Sequence, residues 1–150
     1  MENLLIEKAL TEDKVYYELY LHAIWSTEAR RPLIDLERRA WLADRLMSIA
    51  AEQSVQVIAT GIVSDHVHML ISITPDIVPD DFVELLKRAS SSEYNLLSDN
   101  SDPLVWKQCC GLSTVSTEDI GKVTGYVVNQ LERHASGDVD EELEIDGYDG

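Results

Sequence analysis

With 150 residues, 45% of them hydrophobic, the chain has the length and apolar content of one ordinary domain. No apolar run approaches the roughly 18 residues of a membrane span. The opening MENLLIEKALTEDK is acidic and lacks the basic-then-apolar layout of a signal peptide, so a cytoplasmic protein is expected. The two cysteines, Cys109 and Cys110, are neighbours without a CxxC or a second pair, which excludes a disulfide framework and a cysteine zinc site. Twelve Lys and Arg face 28 Asp and Glu, for a formal net charge of −16. Many of the acids crowd into residues 138–150, DVDEELEIDGYDG, yet the rest still outnumber the bases. That sign opposes nucleic-acid binding, which draws its affinity from neutralised phosphates and released counterions. It fits a salt-rich cytosol, because at about 1 M salt the Debye length is roughly 3 Å and long-range repulsion largely vanishes. The competing expectation is a chain that never binds nucleic acid.

In chain order, residues 1–13 read as a short extension, 14–135 as one folded unit and 136–150 as an acidic, disordered tail with little apolar surface to bury. Val15, Tyr17, Leu19, Leu21, Ala23 and Trp25 alternate as one face of a strand. Pro32 opens a helical segment whose inner stripe is Leu42, Leu46, Ile49 and Ala50. Val55 to Val63 is β-branched and strand-like, and after a short turn His66 to Ile73 is a further strand with Val67, Met69, Ile71 and Ile73 on one face. Asp80 or Asp81 caps the next helix, which presents Phe82, Leu85, Leu86 and Ala89 inward. A weaker strand lies near Cys110 to Val115, and Ser116 with Asp119 has capping-box spacing for a last helix over 117–134. The order predicts an α+β fold, a ferredoxin-like βαββαβ unit with an additional C-terminal helix, in which helices cover one sheet face and leave the other for something else.

His66-Val67-His68 carries the sharpest chemical signal. Side chains two apart on a strand share a face, so both imidazoles project together, on the side opposite Val67 and Met69. Paired imidazoles suit a divalent first-row metal, and equally suit two hydrogen-bonded polar residues on an exposed strand. On the last helix, Ile120, Val123, Val127 and Leu131 form the buried stripe, while Tyr126 and Gln130, four apart, stack on a flank that borders a cleft. Gly121 and Gly125 weaken that helix by about 1 kcal/mol each relative to Ala. They read either as close-packed positions or as a helix loosened so that it can shift.

Five segments in register resemble a known family. Gly61-Ile-Val-Ser-Asp-His-Val-His-Met-Leu-Ile-Ser72 is similar to the His-hydrophobic-His (HUH) motif of TnpA-type single-tyrosine transposases, which belong to insertion sequences that move as single-stranded DNA. Leu21-His-Ala-Ile-Trp-Ser-Thr27 with Arg30, Arg31 and Pro32 resembles their first strand and its loop, and Leu86-Lys-Arg-Ala-Ser-Ser-Ser92 their second helix. Trp106-Lys-Gln, Ser113-Thr-Val-Ser116 and Tyr126-Val-Val-Asn-Gln130 resemble the last strand and nucleophile helix. The resemblance implies a DNA transposase that cleaves and rejoins single strands through a 5′-phosphotyrosine on Tyr126. It implies Mg²⁺ or Mn²⁺ held by His66, His68 and Gln130, hairpin element ends as partner, and a homodimer in which the nucleophile helix can dock on the partner subunit. No Walker-type loop is present, as expected of a reaction that stores phosphodiester energy covalently.

Around this centre, Arg30, Arg31, Lys87 and Arg88 are the compact basic groups and candidate phosphate contacts. Asp65 is a candidate to orient an imidazole, and His22 to lie near the metal site if the first and third strands are neighbours. His134 reads as a favourable charge at a helix end, and Trp25, Trp41 and Trp106 as core. Glu28 stands where the family pattern has a basic residue, and Cys109-Cys110-Gly111 replaces a more aromatic stretch. The alternatives are an inactive or host-adopted DNA-binding relative, a small metal-binding regulator, or a non-catalytic ferredoxin-like module such as an RNA-recognition domain. The last calls for a basic, aromatic-rich sheet that this sequence lacks.

Overall fold

Alternation along the first strand is realised in β1 (Tyr20–Ser26), where Ala23 and Trp25 enter a large apolar core and His22 and Ile24 face the other way. This computed structural model describes residues 14–97 and 102–148; the extension expected over 1–13 lies outside the described residues. β1 begins later than the alternation suggests, and Val15 and Tyr17 are exposed. The ladder runs out there: Tyr20 pairs with Ser72, the last residue of β3 (His66–Ser72), and one further bond joins Ile73 N–H to the Leu19 carbonyl.

The expected helix at Pro32 opens instead at Arg39, as α1 (Arg39–Glu52). Before it, Ile34 N–H donates to the Ser64 carbonyl, which pins the chain in an extended path, and Asp35 accepts from Glu37 N–H to start a single 3-10 turn. β2 (Gln56–Ile62) and β3 follow as an antiparallel pair, with a bulge that places one extra residue between Val57 and Ala59. The bulge sets Ala59 and Gly61 opposite Leu70 and His68, on the face away from α1. α2 (Pro79–Leu97) starts at Pro79 rather than at an aspartate cap. A proline has no N–H to leave unsatisfied in the first turn, and Asp80 and Asp81 there complement the helix dipole.

β4 (Gly111–Thr114) completes a four-stranded sheet ordered β2-β3-β1-β4, in which every neighbouring pair is antiparallel. This is the predicted ferredoxin-like plan. α1 and α2 pack Leu42, Leu46, Ile49, Phe82, Val83 and Leu86 onto Trp25, Val67, Met69 and Ile71. The three tryptophans join this core as expected, Trp25 and Trp106 edge to face and Trp41 at its margin. Among the described residues no helix is long and apolar enough to cross a membrane.

The opposite face, which α1 and α2 leave free, is taken by α3 (Ile120–Val128), which packs Val123 and Val127 against Ala59, Leu70 and Val115. Two expectations there need correction. The single helix expected over 117–134 is divided. A 3-10 turn precedes α3, Ser116 donates to the Asp119 carboxylate rather than capping the backbone, and the helix breaks at Asn129 before α4 (Gln130–Ser136). The break turns Leu131 out to 40% exposure, whereas Gln130 is 1% exposed. Gly137, with φ of 75°, ends α4 as a left-handed cap. Residues 138–148, expected as a solvated tail, fold back over this same face; they carry a 3-10 turn at Glu141–Glu144 and bury Asp146.

Candidate functional site

His66 and His68 stand on the α3 face of β3, opposite Ser26 and Ile24 of β1, with Gly61 of β2 beside His68. Strand alternation commits Val67 and Met69 to the core and thereby fixes both imidazoles on the other side, where they are buried with ring centroids 5.0 Å apart. Each ring is held from behind through Nδ1. His66 Nδ1 donates to Asp65 Oδ1 at 2.6 Å. With that proton so assigned, the Arg30 guanidinium 3.4 Å from the same nitrogen makes a contact rather than a hydrogen bond. His68 Nδ1 lies 2.8 Å from Nε2 of His22, the neighbour on β1 expected to lie close. Burial, with the adjacent His68 charge, pushes His22 down to about 4, so at neutral pH it is uncharged. Both Nε2 atoms point into the site toward Glu144, and neither makes a hydrogen bond of acceptable geometry.

Gly61 admits the helix that completes the site. A Cβ there would stand 1.9 Å from the Val127 carbonyl oxygen, so a side chain would push α3 off β2. Docked in this way, α3 sets the Tyr126 ring 5.8 Å from the His68 ring, edge to face, and Arg133 covers the phenol at 5.2 Å. These groups belong to one chain, so a single subunit assembles the cluster. The break at Asn129 carries Gln130 inward: its Nε2 donates to the Tyr126 carbonyl at 2.8 Å, and its Oε1 lies 3.0 Å from His134 Nε2. His134, expected at a helix end as a simple charge, instead has its ring 4.7 Å from that of His66.

A carboxylate fills the centre. Glu144 Oε2 accepts the Tyr126 hydroxyl at 2.7 Å and lies 2.9 Å from His68 Nε2, while Oε1 lies 3.2 Å from His66 Nε2 and 3.1 Å from His134 Nε2. The Tyr126 oxygen also accepts from Asp140 N–H at 3.0 Å. Burial alone would raise Glu144, but the histidines and the phenol overcome it and hold the carboxyl well below its usual range. Tyr126 moves the opposite way, up to about 12, first through burial and then because its proton is held by the Glu144 carboxylate. The two imidazoles split. Burial lowers His68, whereas for His66 the same penalty is outweighed by Asp65 and Glu144, and its pKa is raised. His66, His68, His134 and Glu144 each offer a ligand atom, all within 4.8 Å of one another, a donor set suited to a divalent cation.

The basic candidates separate. Arg30 reaches this site and pairs with Asp146 at 3.1 Å. Arg31 is exposed and pairs with Asp102. Lys87 is corrected: it is buried, and its ammonium donates to the carbonyls of Lys107 and Cys109 at 2.6 and 3.2 Å, which removes it from any surface contact. Arg88 is exposed on α2, on the sheet face opposite the histidines. Sequence reasoning missed His134, Glu144 and Asp146. His134 was within reach, four residues beyond Gln130 as Gln130 is four beyond Tyr126. Nothing singled out Glu144 within a run of like charges.

A family profile described as "Transposase IS200 like" matches residues 15–130. The chain is 31% identical over 122 residues to the ISDra2 transposase TnpA of Deinococcus radiodurans, covering 78% of this chain and 87% of that protein. It is similar to the crystal structure of a putative transposase from Deinococcus radiodurans R1, with a TM-score of 0.62 and 29% identity over 80% of this chain and 96% of that one. It also shares the fold of a REP-associated tyrosine transposase bound to a REP hairpin, with a TM-score of 0.59 and 13% identity over 83% of this chain and 74% of that one.

Proposed function

Because this chain belongs to the IS200-like transposase family, we propose that it cuts and rejoins single-stranded DNA through a covalent bond between Tyr126 and a 5′-phosphate. The observation that carries this reading is the oxyanion already seated among Tyr126, His66, His68 and His134, in the form of the Glu144 carboxylate. A DNA phosphate is an oxyanion too, and in that seat its phosphorus would face the phenol. The Tyr126 oxygen forms the new bond to phosphorus, the bond to the 3′-oxygen breaks, and the phenolic proton ends on that leaving oxygen. Rejoining reverses the exchange, so the phosphodiester energy is conserved without a nucleotide.

The site's own chemistry fits Mg²⁺ or Mn²⁺. The Nε2 atoms of His66 and His68 would give a cation their lone pairs, His134 would add a further nitrogen, and Gln130 brings an amide oxygen 3.0 Å from His134 Nε2. Bound there, a divalent cation offsets charge on the phosphate oxygens and eases departure of the 3′-oxygen. Asp65 and His22 are positioning residues, since each holds one imidazole from behind at its Nδ1. A phenol held near 12 is a poor nucleophile while Glu144 holds its proton, so Glu144 must give way to substrate. Hairpin ends remain the expected DNA partner, and a homodimer exchanging α3 between subunits the expected assembly.

The test mixes the protein with labelled single-stranded DNA and Mn²⁺ in high KCl and resolves the products under denaturing conditions. A denaturation-resistant protein–DNA adduct is expected, and Tyr126→Phe abolishes it. Full strand cutting by Tyr126→Phe would overturn the assignment of the nucleophile.

A further inference from the structure

Two residues beyond Glu144, a second carboxylate is held in a separate cradle. Asp146 is only 9% exposed although it belongs to the most acidic stretch of the chain. Its Oδ2 accepts from the Ser26 hydroxyl and pairs with Arg30 at 3.1 Å, and its Oδ1 lies 3.4 Å from Lys107 Nζ. Burial alone would raise this carboxyl, but Ser26, Arg30 and Lys107 together hold it below its usual range.

The cradle is built into the fold. Ser26 is fully buried and is the Cα partner of His66, so its hydroxyl stands beside the histidine pair. Lys107 is tied to the same residue through its backbone, its N–H donating to the Ser26 carbonyl at 2.9 Å. Arg30 is aimed by two successive left-handed residues, Ala29 at φ 56° and Arg30 at φ 55°. Non-glycine residues adopt that region at a cost, so the loop accepts strain to present this guanidinium. The sheet also leaves room for the visiting chain. A Cβ on Gly111 would stand 1.8 Å from the Ile145 carbonyl oxygen, so a glycine opposite Ile24 is what lets residues 144–146 lie against the strand.

We propose that Ser26, Arg30 and Lys107 form a second phosphate subsite for the DNA strand, next to the Tyr126 centre, which Asp146 occupies in place of that phosphate. Ile145 is extended, so Glu144 and Asp146 point to the same side of the chain, roughly 6.5–7 Å apart at the backbone. That is comparable to the step between consecutive phosphates of a single strand. The segment thus presents two anions as a short strand of DNA would, and the two ligands exclude each other. The idea rests on the proposed DNA chemistry and adds to it a residue set, a neighbouring nucleotide and a competitor within the chain.

The test reads binding of a labelled mixed-sequence single-stranded oligonucleotide by fluorescence anisotropy, in EDTA and at fixed KCl. Asp146→Asn is expected to tighten binding about tenfold, the size of one charge-assisted contact. Adding Lys107→Gln to that variant returns most of the gain. An unchanged Kd in Asp146→Asn, or a gain that survives Lys107→Gln, overturns the subsite. If Asp146→Asn does not fold, Lys107→Gln alone decides through salt dependence. Loss of one phosphate contact lowers the slope of log K against log salt by about 0.7 on single strands, and an unchanged slope overturns the proposal. Failure of the DNA chemistry has a different signature: oligonucleotide binding that responds to these variants with no Tyr126 adduct under any condition.

Discussion

On the sheet face beneath α1 and α2, the strands present Ala23, Trp25, Val67, Met69 and Ile71, each apolar and packed by helix side chains of the same kind. One residue away along those strands, the other face presents His22, Ser26, His66 and His68, equally buried but polar, beneath α3 and residues 138–148. The first face is satisfied by any close-packed apolar neighbour. The second holds imidazole nitrogens without hydrogen-bond partners and a carboxylate desolvated among them, which costs free energy unless a ligand completes it. The two faces teach a division of labour: one stabilises the fold, and the other uses that rigidity to hold groups that would rather be in water.

The largest expected effect on stability therefore lies on the apolar face. Leu46 is fully buried in α1, and Leu46→Ala should cost about 2–5 kcal/mol through lost transfer energy and the cavity left behind. Denaturant unfolding checks the loss. Adduct formation per folded molecule should be unchanged, and a selective loss of activity would break the division between faces. A middling effect belongs where the site face is clamped together. Gly61→Ala drives a methyl group into the Val127 carbonyl and to 2.9 Å from Gln130 Cγ, for about 1–3 kcal/mol of overpacking. Because the same shift moves Tyr126 from His68, adduct yield should fall more than the stability loss explains. Wild-type yield at a temperature where the variant is folded would show that α3 need not lie on β2.

Much of this contrast was legible in the sequence, because period-two alternation is a local signal. Val67 and Met69 between two histidines suffice to sort the faces of β3, and four-residue spacing sufficed to pair Tyr126 with Gln130. What escaped depends on contacts between distant segments. The break at Asn129 has no proline or glycine to announce it, yet it decides that Gln130 turns inward and Leu131 outward. Glu144 and Asp146 were hidden by composition: seven acids in thirteen residues read as a solvated run. Only the cradle of Ser26, Arg30 and Lys107, assembled from two distant stretches, singles out one of them. Lys87 failed in the reverse direction, since a lysine beside an arginine reads as a surface pair until a loop carbonyl captures its ammonium.

The smallest effect sharpens the comparison most, because it asks whether the site face is meant to be rigid. Gly121 and Gly125 both lie in α3, and an added Cβ at either would meet no atom within 4 Å, so close packing does not explain them. Each Gly→Ala change should then stabilise the protein by up to about 1 kcal/mol, the difference in helix propensity. If α3 only holds Tyr126 in place, Gly121→Ala with Gly125→Ala raises the melting temperature and leaves both cleavage and rejoining unaltered. If the helix shifts between the two strand exchanges, the same pair raises the melting temperature, keeps the first adduct, and slows its resolution in a single-turnover assay. We expect the second outcome, because two glycines in one nine-residue helix weaken it without any packing return. A stabilised variant that resolves its adduct at the wild-type rate would assign α3 to the rigid part of the molecule.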